Sequence, residues 1–130
     1  MKETNEITAQ IINAAMKVHS ALGPGLLESA YEVCLAHELR KREFEVQTQV
    51  VLPVEYDGVK LDAGYRIDLL VEKTVVVELK AVEKMNPVFE AQLLSYLKLS
   101  KNRVGLLINF NVPRLKDGIQ RIVNNYEEND

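Results

Sequence analysis

The segment Val75-Val76-Val77-Glu78-Leu79-Lys80-Ala81 constrains this chain more than any other. Three β-branched residues in a row favour a strand, and an unbroken apolar run suits a strand buried on both faces. Such a strand needs other strands beside it and helices over both faces. The same segment carries Glu78 and Lys80. Side chains alternate along a strand, so these two point to one face and Val77 and Leu79 to the other. Buried charges are costly unless they find partners. The centre of the sheet therefore needs an ion pair, a metal or water at Glu78 and Lys80.

The rest of the chain supplies the neighbours. Ile7, Ile11, Ile12, Ala15, Met16 and Val18 recur at helical spacing, which predicts a first helix over residues 7–19. Leu22-Gly23-Pro24-Gly25 breaks it. A second helix is expected over 26–42, with Arg40-Lys41-Arg42 in its last turn, where cations complement the helix dipole. Val46, Thr48, Val50 and Leu52 then alternate as a strand, which leads through Pro53-Val54-Glu55-Tyr56 to the hairpin signal Asp57-Gly58. A second strand is expected over 61–71, with Gly64 as a bulge. The valine segment is the third strand, over 75–81. Asn86-Pro87 starts a helix over 87–99, with Asn as N-cap and Pro in the first turn. A fourth strand covers 105–110, and Ile119, Ile122 and Val123 suggest a terminal helix over 115–126. The order is ααβββαβα, an α/β fold with a mixed four-stranded sheet. Its last strand–helix–strand unit implies a right-handed crossover and a parallel pair.

At 130 residues the chain reads as one domain over 1–130, large enough to bury a core without cross-links. No apolar run approaches the roughly 20 residues of a membrane span. The polar start Met1-Lys2-Glu3-Thr4-Asn5-Glu6 does not resemble a signal peptide, and Cys34 is the only cysteine; both suit a reducing cytoplasm. Sixteen Lys and Arg face nineteen Asp and Glu, three of them in the last four residues. No broad electrostatic grip on nucleic acid is evident. Two local clusters, Lys98/Lys101/Arg103 and Arg114/Lys116/Arg121, are candidates for phosphate contact or plain solvated surface. No aromatic stacking platform is legible.

Asp68 decides how Glu78 is read. A two-residue turn at Glu72-Lys73 would set Asp68 opposite Val77, on the wrong face. A three-residue loop, Glu72-Lys73-Thr74, or an equivalent bulge sets it opposite Glu78, about 5 Å away between Cβ atoms. We expect the second register. Two adjacent carboxylates repel and favour a bound cation, and oxygen ligands point to Mg²⁺ or Mn²⁺.

Asp68 followed by Glu78-x-Lys80, on consecutive strands flanked by helices, resembles the PD-(D/E)xK nuclease superfamily. Gly25-Leu26-Leu27-Glu28-Ser29-Ala30-Tyr31 is similar to the GxxExxY signature of one family within it. Gln92-Leu93-Leu94-Ser95-Tyr96 resembles the QxxxY helix motif of its RecB-like branch. The likeness runs from about Ile7 to Val123. Ile67 stands where the pattern carries proline, and the carboxylate at Asp68 is retained. The resemblance implies a restriction-endonuclease-like three-layer α/β/α core and metal-dependent hydrolysis of phosphodiester bonds in DNA or RNA.

Under that resemblance Asp68, Glu78 and the Leu79 carbonyl hold the metal. Glu28 completes the shell or holds a water, and Lys80 orients water or neutralises developing charge. Gln92 and Tyr96, four apart on one helix face, support the site. Tyr31 packs or hydrogen-bonds Glu28. His19 either joins the metal site or bonds a backbone carbonyl at its helix end. Cys34 is read as a small core residue and His37 as surface. The small domain dimerises or uses a protein partner for targeting. Two rivals remain: a catalytically silent nuclease-fold module that binds nucleic acid or a protein partner, and a structural subunit in which these residues form a closed ion-pair network.

Overall fold

A computed structural model of the protein describes residues 3–125. The acidic residues Glu127, Glu128 and Asp130, and Tyr126 at the end of the expected terminal helix, lie outside them. Helices α1 (Thr4–Leu22) and α2 (Glu28–Lys41) come first. The apolar stripe of α1 is buried through Ile7, Ile11, Ala14, Ala15 and Val18. Glu38 of α2 ties the pair together: its carboxylate meets Lys17 of α1 at 3.0 Å and Arg42 at 3.5 Å.

The strands follow as β1 (Val46–Val51), β2 (Val54–Tyr56), β3 (Val59–Leu61), β4 (Arg66–Val71) and β5 (Val75–Lys80). Helix α3 (Pro87–Ser100) leads to β6 (Val104–Asn109), a 3₁₀ turn (Leu115–Gly118) and β7 (Ile119–Val123). Among the described residues the main sheet has the order β1-β4-β5-β6-β7. β5 and β6 are parallel and the other pairs antiparallel. The valine strand is thus central, with Val75, Val76 and Val77 fully buried. Val75, Val77 and Leu79 pack with α1 and α2. Val76 packs with Leu93, Tyr96 and Leu97 of α3. The expected α/β/α layering is present, with no helix long and apolar enough to cross a membrane among the described residues.

Three expectations need correction. The first two strands are not continuous. After Val51 the chain leaves the main sheet, and β2 and β3 form a separate two-stranded hairpin. Asp57 and Gly58 both take positive φ at its tip, as the Asp-Gly signal requires. Gly64 is no bulge: it closes a turn in which the Asp62 carboxylate accepts the Gly64 N–H at 2.9 Å, and β4 begins beyond it. The terminal element is a strand rather than a helix, so the sheet has five strands. Ile119 packs on the α1/α2 side and Ile122 on the α3 side. Residues three apart lie on one face of a helix but on opposite faces of a strand. A strand covered on both sides therefore mimics the helical spacing.

The turn into β7 presses Gly118 against β6. A Cβ there would collide with the backbone carbonyl oxygen of Asn109 and crowd Val112 at 3.1 Å. Gly118→Ala is expected to destabilise the protein by about 2 kcal/mol, read as a lower urea midpoint at unchanged m-value.

Candidate functional site

The loop Glu72-Lys73-Thr74 joins β4 to β5, with Glu72 and Lys73 at positive φ and the Thr74 N–H on the Val71 carbonyl at 3.0 Å. It sets Val71 opposite Val75, Leu70 opposite Val76 and Leu69 opposite Val77. The next step of this register brings Asp68 to Glu78, as the odd loop length predicts. The backbone ladder stops there and side chains take over. Asp68 Oδ2 accepts the Leu79 N–H at 2.9 Å, and Glu78 Oε1 lies 3.4 Å from the Asp68 N–H. The apolar alternation of β4 also slips at this point. Leu69 and Val71 pack on the α1/α2 side, whereas Ile67 packs on the α3 side.

Glu78 is 7% exposed. Burial first, and the Asp68 carboxylate second, push its carboxyl from the ordinary 4.5 up to about 10. Lys80 lowers it least among the contributing groups. The pair thus keeps a proton at neutral pH, where two separate carboxylates would be ionised.

On one side of the pair lies a cavity of about 350 Å³ lined by Glu28, Ser29, Glu32, Gln49, Asp68 and Leu79. Glu28 opens α2, and Tyr31 explains why it stands there. The buried Tyr31 ring stacks on Phe110 with centroids 4.4 Å apart. Its hydroxyl donates to the Gly23 carbonyl at 2.7 Å and accepts the Leu26 N–H at 3.1 Å. Tyr31 therefore clamps the Gly-Pro-Gly loop leading into α2 and makes no bond to Glu28 that the structure records. Gly25, at φ 104, gives that loop its bend. Glu32 follows one helical turn after Glu28. Burial, then the Asp68 and Glu28 charges, raise its carboxyl against a hydrogen bond from Gln49. The Gln49 amide donates to Glu32 at 2.5 Å and to Asp68 at 3.3 Å.

On the α3 side a cavity of about 640 Å³ is bordered by Lys80, Gln92 and Tyr96. Lys80 Nζ sits 4.4 Å from the centroid of the Phe89 ring. The Gln92 amide donates to the Tyr96 hydroxyl at 3.1 Å. Burial and then the nearby Glu78 raise the Tyr96 phenol. The six residues expected at the site are thus gathered around the β4–β5 junction, but from two sides: Glu28 and Asp68 at one cavity, Lys80, Gln92 and Tyr96 at the other, Glu78 buried beside Asp68.

A profile of the PD-(D/E)XK nuclease superfamily matches residues 5–122. The chain belongs to this superfamily. The crystal structure of SSO0001 aligns with 95% of this chain and 80% of its own, at 16% identity and a TM-score of 0.47. No curated protein matches the chain.

Some positions fall outside the superfamily motifs. His19 is buried, with Nε2 2.8 Å from the Val112 carbonyl oxygen and its ring against Phe110. It braces α1 against the segment after β6, away from both cavities. Neither basic cluster lines them. Glu32 and Gln49 carry no motif. The i,i+4 spacing from Glu28 is a signal for Glu32. Gln49 has none, because its positive φ of 50 in mid-strand is set by tertiary structure. Beyond Lys80 the chain is fixed by buried Asn109, whose amide donates to the Val82 carbonyl at 3.0 Å and accepts the Val82 N–H at 3.1 Å.

The proton on Glu78 has a stability consequence. Between pH 4.5 and about 10 the folded protein holds it and the unfolded chain has released it. Its contribution favours folding fully below 4.5 and is lost as pH rises toward 10. Glu78→Gln keeps the shape and cannot ionise. In chelator at about pH 8 it is expected to raise Tm by roughly 5 °C, and to flatten the fall of Tm with pH between mildly acidic and mildly basic buffers.

Proposed function

We propose that this protein is a divalent-metal-dependent nuclease that hydrolyses phosphodiester bonds in DNA or RNA. The observation that carries the reading is the Asp68–Glu78 carboxylate pair beside Lys80, in a chain of a superfamily whose nucleases generally use divalent metals. The residues fit such an ion. Two carboxylates forced together, one keeping a proton up to about 10, form a site that a hard cation neutralises better than a proton does. Asp68, Glu78 and the Leu79 carbonyl would hold it. No three His, Cys, Asp or Glu residues converge on one point among the described residues. The remaining positions would thus belong to water and substrate oxygens, as Mg²⁺ or Mn²⁺ allows.

A divalent cation bound there supplies charge neutralisation for a phosphodiester and makes water more acidic. The chain's own groups do the rest. Lys80, an ammonium against the Phe89 ring, meets the negative charge that develops on the phosphate or orients the attacking water. Tyr96 and Gln92, bonded to each other, hold the wall beside Glu78. Glu28 and Glu32 face Asp68 across the smaller cavity and can accept protons from water. The chain works in a reducing cytoplasmic setting, as a homodimer or with a targeting partner. The GxxExxY pattern serves the site through Tyr31, which sets the α2 start that carries Glu28.

One observation favours the silent-module alternative: Asp68 and Lys80 open onto different cavities. Cleavage decides between the two. With Mg²⁺ or Mn²⁺, the native protein is expected to cut single- or double-stranded DNA or RNA, and identically purified Glu78→Ala to show none of that activity. Lys80→Ala is expected to lower the rate by about 100-fold or more. A native protein that binds metal but cuts none of these substrates would leave the silent module as the better reading.

A further inference from the structure

The larger cavity is more than a border for Lys80. Three aromatic rings meet around it. Tyr65 stands edge-on to Tyr96 at 6.0 Å and 64°, and Phe89 forms the wall beneath Lys80. Tyr65 is 43% exposed, so its ring remains available to a ligand. Aliphatic side chains complete the walls, and the polar groups are few: the Gln92 amide, the Ser95 hydroxyl, the Tyr65 and Tyr96 hydroxyls and the Lys80 ammonium. At about 640 Å³ the hollow lies in the range of small-ligand pockets. These rings are distant in sequence, on the segment before β4 and on α3, which is why no stacking platform is legible in the sequence.

From this we infer that the cavity receives one unpaired nucleobase of the substrate, next to the phosphate handled by Asp68, Glu78 and Lys80. The inference rests on the nuclease reading and names its substrate class: nucleic acid with single-stranded character at the cleaved position. Flat π-faced groups stack on aromatic side chains regardless of sequence. Gln92 and Ser95 offer donors and acceptors to a base edge. The lone cation at the cavity's border matches the nucleotide's anionic end, and it stands two residues beyond Glu78 on the same strand. A base inside a duplex is covered on both faces by its neighbours and cannot enter a ring-lined hollow unless it leaves the stack. A single strand makes no such demand.

The test uses the intact protein with calcium and an oligonucleotide carrying a fluorescent adenine analogue whose emission is quenched by stacking. It is offered as a single strand and as a perfect duplex. The native protein is expected to bind the single strand at least about 10-fold more tightly and to quench it. Tyr65→Ala is expected to weaken that binding by about 10-fold, the loss of one stacked base, and to abolish the quenching; Tyr65→Trp is expected to restore both. Equal binding of duplex and single strand, with quenching unchanged in Tyr65→Ala, would overturn the inference. Metal-dependent cleavage of duplex that Tyr65→Ala leaves unchanged would overturn it while the nuclease reading stands. No binding to either strand form and no cleavage would remove both.

Discussion

The carboxyl group of Glu78 lies almost wholly out of water, in the middle strand of a sheet covered on both faces. Much else in the molecule accommodates that fact. The strands beside it must part to admit Asp68, so the β4–β5 ladder ends at Leu69 and Val77, and a carboxylate takes the Leu79 N–H that a backbone carbonyl would have taken. The polar groups are satisfied: among the described residues no buried side-chain polar atom lacks a hydrogen-bond partner. The charge is not satisfied, since removing a second carboxylate from water beside the first is what drives its proton affinity up.

Around this junction the rest of the fold acts as a set of braces. Tyr31 and Phe110 form a stacked pair that fixes where α2 begins. Asn109 pins the segment leaving β5, so Lys80 is held from behind by its own continuation. His19 bonds the carbonyl of Val112 and docks the first helix onto the same region. Each brace is a polar side chain that satisfies backbone groups in irregular segments, where the sheet ladder cannot.

How much of this can be read from sequence depends on the range of the physics involved. The Asp68–Glu78 register is legible because loop length and side-chain alternation are local rules. The existence of α1, α2 and α3 is legible from periodicity, and the start of α3 from its cap, Asn86, whose side chain accepts the Val88 N–H at 2.9 Å; α1 runs three residues further at each end than its apolar spacing marks. β7 is misread because two-sided burial of Ile119 and Ile122 imitates a helix face. Tyr31 is recognisable from its spacing to Glu28, but its clamp on Gly23 is a loop contact that spacing alone leaves open. Gln49 and the ring cluster of Tyr65, Phe89 and Tyr96 are assembled by tertiary structure from segments with no shared pattern.

The short hairpin of β2 and β3 stands apart from the main sheet, joined to it through Pro53 and through the turn at Gly64. Its strands share no ladder with β5 and carry none of Asp68, Glu78, Glu28 and Glu32. Part of the larger cavity's lining, at Val54 and Tyr65, belongs to this appendage and its root, whereas the rest belongs to β5 and α3. Variation in the hairpin can therefore reshape what the cavity admits without disturbing the buried acid pair. Heritable change in selectivity and heritable change in chemistry can proceed independently in this fold.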